Sequence, residues 1–404
     1  MTVRISKSEI NLRDKLSNHD NPTGAHGGQI LASKSAKETQ SIIGIGTKNM
    51  LINGGMQIAQ RGTSLTPNGS SSTQFPCCDR WGGQFSDTGV MTVSQSTDAP
   101  TGHTHSLKYL VSSALTPSGG HYFWIGQRIE GYNIAATGWN TPFGKHCTLS
   151  FWVKSSNPGI WAGSVRKGGS TFGYCFVYEI ENKDTWEWKQ VTVPPPTTSS
   201  SGWNVTNGVG IQIQFDIGTS RVSDLGADTI GKWQSHNTYT HNDTILPITR
   251  LHGTSGGTWY LTGVQFEPGR VATPFEQRSY GEEIALCQRY YNCIYRRGAS
   301  SDGNLSIGGV GSLYTSTQVY IDLSFPTQMR ATPTLEAPTA TNRFNICPTT
   351  CIDFGNPNLI HAHKNACTLN ATLQSSNTAG RVGNVFAKTS NWTEGEKLAF
   401  TAEL

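Results

Sequence analysis

The middle of the chain is written in a period of two. Leu149, Phe151 and Val153 alternate with Thr148, Ser150, Trp152 and Lys154. Phe172, Tyr174, Phe176, Tyr178 and Ile180 alternate with Gly173, Cys175, Val177 and Glu179. Val209, Ile211, Ile213, Phe215 and Ile217 alternate with Gly210, Gln212, Gln214 and Asp216. Tyr260, Thr262, Val264 and Phe266 alternate with Trp259, Leu261, Gly263 and Gln265. Successive side chains of a strand point to opposite faces, so these runs predict antiparallel strands with one buried face. Gly, Asn, Ser or Pro bounds each run. One-sided strands need a second sheet to cover them, so residues 48–280 are expected to form a jelly-roll-like β-sandwich in an all-β chain.

The flanks read differently. Val319, Ile321, Leu323 and Phe325 form another alternating strand, Pro326, Pro333 and Pro338 punctuate the chain beyond it, and Phe386, Leu398 and Phe400 carry strand patterning to the end. A smaller C-terminal β-sandwich is predicted over 294–404. Between the two, Ser279-Tyr-Gly-Glu282 is a capping-box pattern, and Ile284, Cys287 and Tyr291 come after it at helical spacing. This predicts a linker helix over 281–293. Residues 1–47 form a third region. Ile10, Leu12 and Leu16 make a short amphipathic pattern, and Ser35-Ala-Lys-Glu38 opens a second short helix that runs through Ile43. Helices this short are not stable alone. The segment is therefore expected to dock on a larger body through Ile10, Leu12, Leu16 and Ile43. A loose terminus is the plainer reading. No repeat of fixed period occurs.

Composition narrows the partners. Charged residues make up 14% of the 404, against roughly 25% in ordinary soluble domains. With 45 Gly and a net charge of +4, the surface should be built of hydroxyls and amides, and nucleic acid is not an expected partner. No apolar run is long enough to span a bilayer, so membrane insertion is not expected. The opening Met1-Thr-Val-Arg-Ile-Ser-Lys7 lacks the apolar core of a secretion signal, which points to synthesis in a cytoplasm. Nine Cys cannot all pair within one chain, and free buried thiols are the expectation. Cys347-x3-Cys351 fits either a disulfide or half a metal site, but the chain has no second pair with ligand spacing beyond it. Neither a metal nor a cofactor is expected.

Candidate chemistry lies with aromatic residues more than with catalytic ones. The chain has no P-loop or H-E-x-x-H. His103 with His105, and His361 with His363, each place two imidazoles on one strand face, and further metal ligands would have to come from elsewhere. Glu179, Glu181 and Asp216 are the carboxylates within the sandwich that a glycosidase would use. A solvated strand face explains them equally well, and no enzyme is expected. By contrast, eleven Trp is a high count, and three stand in polar turns: Gly138-Trp-Asn140, Gly202-Trp-Asn204 and Gly231-Lys-Trp-Gln-Ser-His-Asn237. Sugar rings offer apolar C–H faces that lie flat on indoles and hydroxyls that seek amides and imidazoles. Trp139, Trp203, Trp233, His236, Tyr239 and Asn242 are thus the candidate glycan-binding residues. The competing reading has these turn Trp residues folding back onto a sheet. Trp81, Trp124, Trp186, Trp188 and Trp259 read as core or edge packing.

Two stretches carry a resemblance. One runs from Asn49-Met-Leu-Ile-Asn-Gly-Gly-Met56 through Gln60-Arg61 to Ser64. The other runs from Gly257-Thr-Trp-Tyr-Leu-Thr-Gly-Val-Gln-Phe266 through Pro274-Phe-Glu276 to Leu286-Cys-Gln-Arg-Tyr-Tyr291. Together they resemble the opening and closing strands of a lectin-like, carbohydrate-binding-module-like β-sandwich found in tail-fibre and appendage proteins of tailed bacteriophages, cyanophages especially. The opening residues 1–16 and the end Ala399-Phe-Thr-Ala-Glu-Leu404 are similar to the same proteins. The resemblance implies a virion tail appendage, a homotrimer, docking on tail or other virion proteins through the N-terminus, and binding of host surface polysaccharide. It concerns framework positions and does not identify the sugar. The alternatives are a purely structural appendage, such as a head fibre or decoration protein, and a polysaccharide depolymerase.

Overall fold

Alternating strands pair wherever their apolar faces can meet a second sheet, and the computed structural model has them do so twice. It describes residues 49–69, 72–86, 90–115, 122–170, 172–196, 202–218, 230–235, 248–298, 304–340, 342–388 and 391–404. The two short N-terminal helices and the docking residues Ile10, Leu12, Leu16 and Ile43 lie outside the described residues. In the first sandwich one sheet has the spatial order β1 (Ser64–Leu65), β3 (Met91–Ser96), β4 (Ser106–Val111), β12 (Thr258–Pro268), β6 (Cys147–Ser155), β9 (Glu187–Val193). The facing sheet runs β11 (Trp233–Ser235), β8 (Phe172–Ile180), β7 (Gly159–Lys167), β10 (Val209–Asp216), β5 (Phe123–Glu130), β2 (Gly82–Phe85). Every described pairing between these strands is antiparallel. Neighbours distant in the chain, such as β12 beside β4 and β6, give the jelly-roll character.

The core follows the predicted alternation closely in three strands. Leu149, Phe151 and Val153, the set from Phe172 to Ile180, and Ile211, Ile213, Phe215 and Ile217 are all buried between the sheets. β12 departs from it. Trp259 and Leu261 face the core rather than Tyr260, and after Thr262 the core residues become Val264 and Phe266. The register against β6 slips between Thr262 and Gln265. Gly263, at a φ of 60°, is the extra residue of a bulge that reverses the phase of the strand. A single run of alternation across 259–266 therefore misassigns the first half of the strand.

Residues 49–58 close the sandwich and explain why the opening motif is framework. The Asn49 side chain donates to Val264 O at 3.0 Å and accepts from the backbone N–H groups of Leu51 and Phe266. Gln127 of β5 accepts from Ile52 N and donates to Ile52 O, which ties the segment to the opposite sheet. Gly54 runs so near β12 that a Cβ there would lie 2.1 Å from Val264 O.

The second sandwich has a three-stranded sheet, β13 (Tyr291–Arg296), β22 (Lys397–Thr401), β16 (Thr334–Glu336), and a seven-stranded one. The latter runs β18 (Ile352–Phe354), β17 (Phe344–Cys347), β21 (Val382–Lys388), β14 (Asn304–Leu313), β15 (Gln318–Ser324), β20 (Ala366–Thr372), β19 (Asn358–Ala362). Val319, Ile321, Leu323, Phe325, Leu398 and Phe400 share its core. Phe386 is only partly buried, because it lies on the opposite face of β21 from Val385 and Ala387. Cys347 and Cys351 form a disulfide, and the other seven Cys are free.

The linker helix spans Tyr280–Gln288, and the Ser279 side chain accepts from Glu282 N as the capping pattern predicts. It stops earlier than expected, for Tyr291 is already in β13, paired with Thr401. Tertiary contacts override helical spacing here. The Arg80 guanidinium lies 3.6 Å from the Tyr290 ring centroid and that of Arg61 3.5 Å from the Tyr291 ring. Glu403 accepts from both arginines. Tyr290 and Arg289 bond Glu130 of the first sandwich, at 2.5 Å from the Tyr290 hydroxyl. Arg80 is only 2% exposed, and burial lowers its pKa to about 10, which leaves it charged at neutral pH. A buried guanidinium needs such partners, so this seam joins the two sandwiches through a polar network, in which Arg80 Nε is still without a hydrogen bond among the described residues.

Candidate functional site

The three turn tryptophans meet at one end of the first sandwich, packed on one another. Trp139 contacts Trp203 and Trp233 edge to face, each at 5.3 Å between ring centroids, and Trp203 contacts Trp233 at 5.8 Å. Trp233 also stacks on Phe172 at 5.4 Å. Trp139 donates to Lys145 O and Trp233 to Pro194 O, each at 2.7 Å. Trp139 is 4% exposed and Trp203 7%, so neither offers an open ring face. The expectation of turn platforms is corrected for these two: an indole gains more from apolar burial and edge-to-face contact than a turn can supply in water. Trp233 is half-buried. His236, Tyr239 and Asn242 lie outside the described residues, so the structure does not test them.

Solvent-facing aromatics gather instead on the outer face of the β12 sheet. The alternation that buries Leu149, Phe151 and Val153 sends Ser150, Trp152 and Lys154 outward. Trp152 of β6 lies directly opposite Trp188 of β9, which is 45% exposed. Next to Trp152, the Gly263 bulge lets the aromatic side chains come down onto the backbone. A Cβ on Gly263 would sit 2.7 Å from His103 Cε1 and 3.0 Å from Trp152 Cδ1. One wall is the stretch from Ala272 to Phe275. Buried Glu267 fixes it by accepting from Thr273 N at 2.8 Å and Thr273 Oγ1 at 2.7 Å. The other wall is His103, whose ring lies 5.1 Å from that of Phe275. These residues enclose a groove of about 450 Å³, within the usual range for a small-molecule or sugar site.

Polar groups line the groove without partners. Among the described residues, neither the indole N–H of Trp152 or Trp188 nor the imidazole of His103 makes a hydrogen bond. Burial pushes the His103 pKa down, so the ring is neutral at pH 7, with one nitrogen to donate and one to accept. At one end, Trp186 and Tyr260 meet edge to face at 6.0 Å. Lys154 lies over both rings, 5.1 and 4.4 Å from their centroids. Asp98 accepts from Lys154 and from Trp186 Nε1. Burial works to raise the Asp98 carboxyl, but these hydrogen bonds and the nearby lysines hold it below its ordinary range.

Sequence reasoning placed Trp186 and Trp188 in packing roles. The missed signal was strand alternation: Trp188 lies on the edge strand β9 opposite Trp152, which the alternation of β6 had already turned outward, while Trp186 stands just before β9. His103 and His105 are not on a strand face as expected but in the loop before β4, and His103 belongs to the groove wall. Among the other candidates, Glu179 and Glu181 are exposed and Asp216 is buried, a strand apart from Glu179 in the β10 sheet. Among the described residues no three or more His, Cys, Asp or Glu side chains are grouped to hold a metal ion.

No protein-family model matches the chain, and no curated protein matches it. Among solved structures it is similar to the enzymatically active domain of bacteriophage CBA120 tailspike protein 4, at 14% identity and a TM-score of 0.27. That match covers 55% of this chain and only 21% of the tailspike. The carbohydrate-binding module TmCBM61, in complex with β-1,4-galactotriose, matches at 10% identity and a TM-score of 0.27, over 55% of this chain and all of that one. The tandem CBM22-1–CBM22-2 domain of Xyn10C from Paenibacillus barcinonensis matches at 10% identity and 0.24, over 84% and 95%. Likeness of this degree says nothing about a ligand.

Proposed function

We propose that this chain is a glycan-binding virion appendage of the tail-fibre kind, and that the groove of Trp152, Trp188 and His103 holds the sugar. The observation that carries the binding reading is the groove itself: two cross-strand indoles on the outer face, Trp152 half-buried and Trp188 exposed, with unpartnered N–H groups beside a neutral imidazole. Stacked C–H faces and hydrogen-bonded hydroxyls on one ligand would satisfy all of them at once. The lining between the walls carries no charged side chain, which favours a neutral saccharide. The appendage reading rests on the resemblance of residues 49–64, 257–291 and the two chain ends. In it, residues 1–47 dock on the tail, the chain assembles as a trimer, and recognition involves no catalysis. Several weak sites per particle would then act by avidity.

Binding of the full-length chain to immobilised polysaccharides and to host cells tests the groove. Wild type should bind saturably, competed by the soluble polysaccharide, and the Trp152→Ala/Trp188→Ala double variant should not. Equal binding by a folded double variant would sink the groove. No binding by wild type would favour the structural appendage, and new reducing ends released from the polysaccharide would favour the depolymerase. Removing residues 1–47 should abolish incorporation into particles and leave sugar binding intact.

A further inference from the structure

We propose that the second sandwich carries a second, independent sugar site on the outer face of its seven-stranded sheet. The inference builds on the glycan-binding reading but uses different residues. Along β15, Val319, Ile321 and Leu323 enter the core, so Tyr320, Asp322 and Ser324 point outward. Pairing then sets Asn370 beside Tyr320, and Thr368 beside Asp322, with His361 of β19 next in the same row. The register of β19 slips between Leu359 and His361, and small residues, Ala362 and Ala366, occupy this edge. The result is a depression of about 350 Å³ lined by Asp322, Ser324, His361, His363 and Thr368 among others.

Its chemistry is that of a polyol site. Asp322 Oδ1 accepts from Thr368 Oγ1 at 2.7 Å, which orients the carboxylate and leaves Oδ2 without a hydrogen bond among the described residues. The imidazoles of His361 and His363 and the Ser324 hydroxyl likewise have no hydrogen-bond partner there. Carboxylates and imidazoles set beside hydroxyls bind vicinal hydroxyl groups. An aromatic platform stands further along the same strand face. Tyr314 stacks on Tyr320 at 4.5 Å and 13°, yet stays 64% exposed. A ring held rigid by stacking on one side and open on the other loses little entropy when a sugar lies on it. Tyr320 and Asp322 are two apart on the same strand face, so an oligosaccharide with one ring on Tyr314 would run along that face and bring the hydroxyls of later rings to Asp322 and His361.

Calorimetric titration of the full chain decides the matter, with β-linked hexasaccharides of glucose, xylose, galactose and mannose as probes. The variants are Trp152→Ala/Trp188→Ala and Tyr314→Ala/Asp322→Ala, each checked for an unchanged thermal transition. The expected result is an equivalent of bound sugar that survives the tryptophan changes and is lost, with at least a tenfold drop in affinity, on changing Tyr314 and Asp322. Binding removed wholly by the tryptophan changes and untouched by the Tyr314 and Asp322 changes would overturn this inference and leave the first groove standing. Binding lost only on changing Tyr314 and Asp322 would do the reverse. If no probe binds, both fall.

Discussion

Trp139 and Trp188 sit in the same sandwich, in segments of similar polarity, and do opposite work. Trp139 is enclosed by Trp203, Trp233 and Phe266 and bonds Lys145 O. Trp188 lies open across from Trp152 with its N–H unspent. The difference lies in what each can reach. A turn at the end of a sandwich is free to bend over the open core and bury its indole. A strand residue has no such freedom, since hydrogen bonding of the ladder fixes its side chain on the outer face. Polar context in sequence is thus a poor guide to an exposed tryptophan, and pinned backbone direction is a better one.

The comparison can be broken most severely at Trp139. Trp139→Ala should cost about 3–5 kcal/mol of stability, read as a lowered denaturant midpoint, with no selective loss of sugar affinity while the chain stays folded. A larger effect on affinity than on stability would return Trp139 to the binding site. Gly263→Val acts on both sides. A β-branched residue at positive φ costs about 1–3 kcal/mol, and its side chain would press on His103 and Trp152, so binding should fall with stability. Normal affinity in that variant would mean that the ligand does not depend on the placement of His103 and Trp152 over the bulge.

Smaller in energy but sharper in meaning is Trp188→Ala. It should weaken glycan binding by about 1–2 kcal/mol, roughly tenfold in Kd, and cost far less stability than Trp139→Ala. The smallest effect concerns His103. Its pKa is depressed in the folded chain, so as pH falls through the ordinary histidine range the unfolded chain takes up the proton first. Stability from this group is present at neutral pH and is lost on acidification. His103→Gln should therefore flatten part of the decline in melting temperature between pH 7.5 and 5.5. An unchanged pH dependence would show that the ring is not held neutral by its surroundings.

Much of the fold was legible because a period of two is a local property. The alternation from Leu149 to Val153 and from Phe172 to Ile180 needs no distant partner to declare which face is buried. The Ser279 cap and the inward row from Val319 to Phe325 are local in the same way. The candidate site was legible only in part. Trp152 stood on the outward side of its run, but nothing there or in the stretch around Trp188 says that β6 and β9 are neighbours.

What the sequence by itself determined is therefore the all-β character, the capped helix that opens at Ser279 and the inward faces of the regular strands. Only the tertiary structure decided three further things: the gathering of Trp139, Trp203 and Trp233 into one packed end, the reversal of phase in β12, and the pairing of Trp152 with Trp188. Each depends on contacts between residues far apart in the chain. Whether a turn folds inward, or Gly263 is an extra residue rather than a member of the alternation, is settled by which partner strand it meets, and pattern within one segment carries no information about that partner.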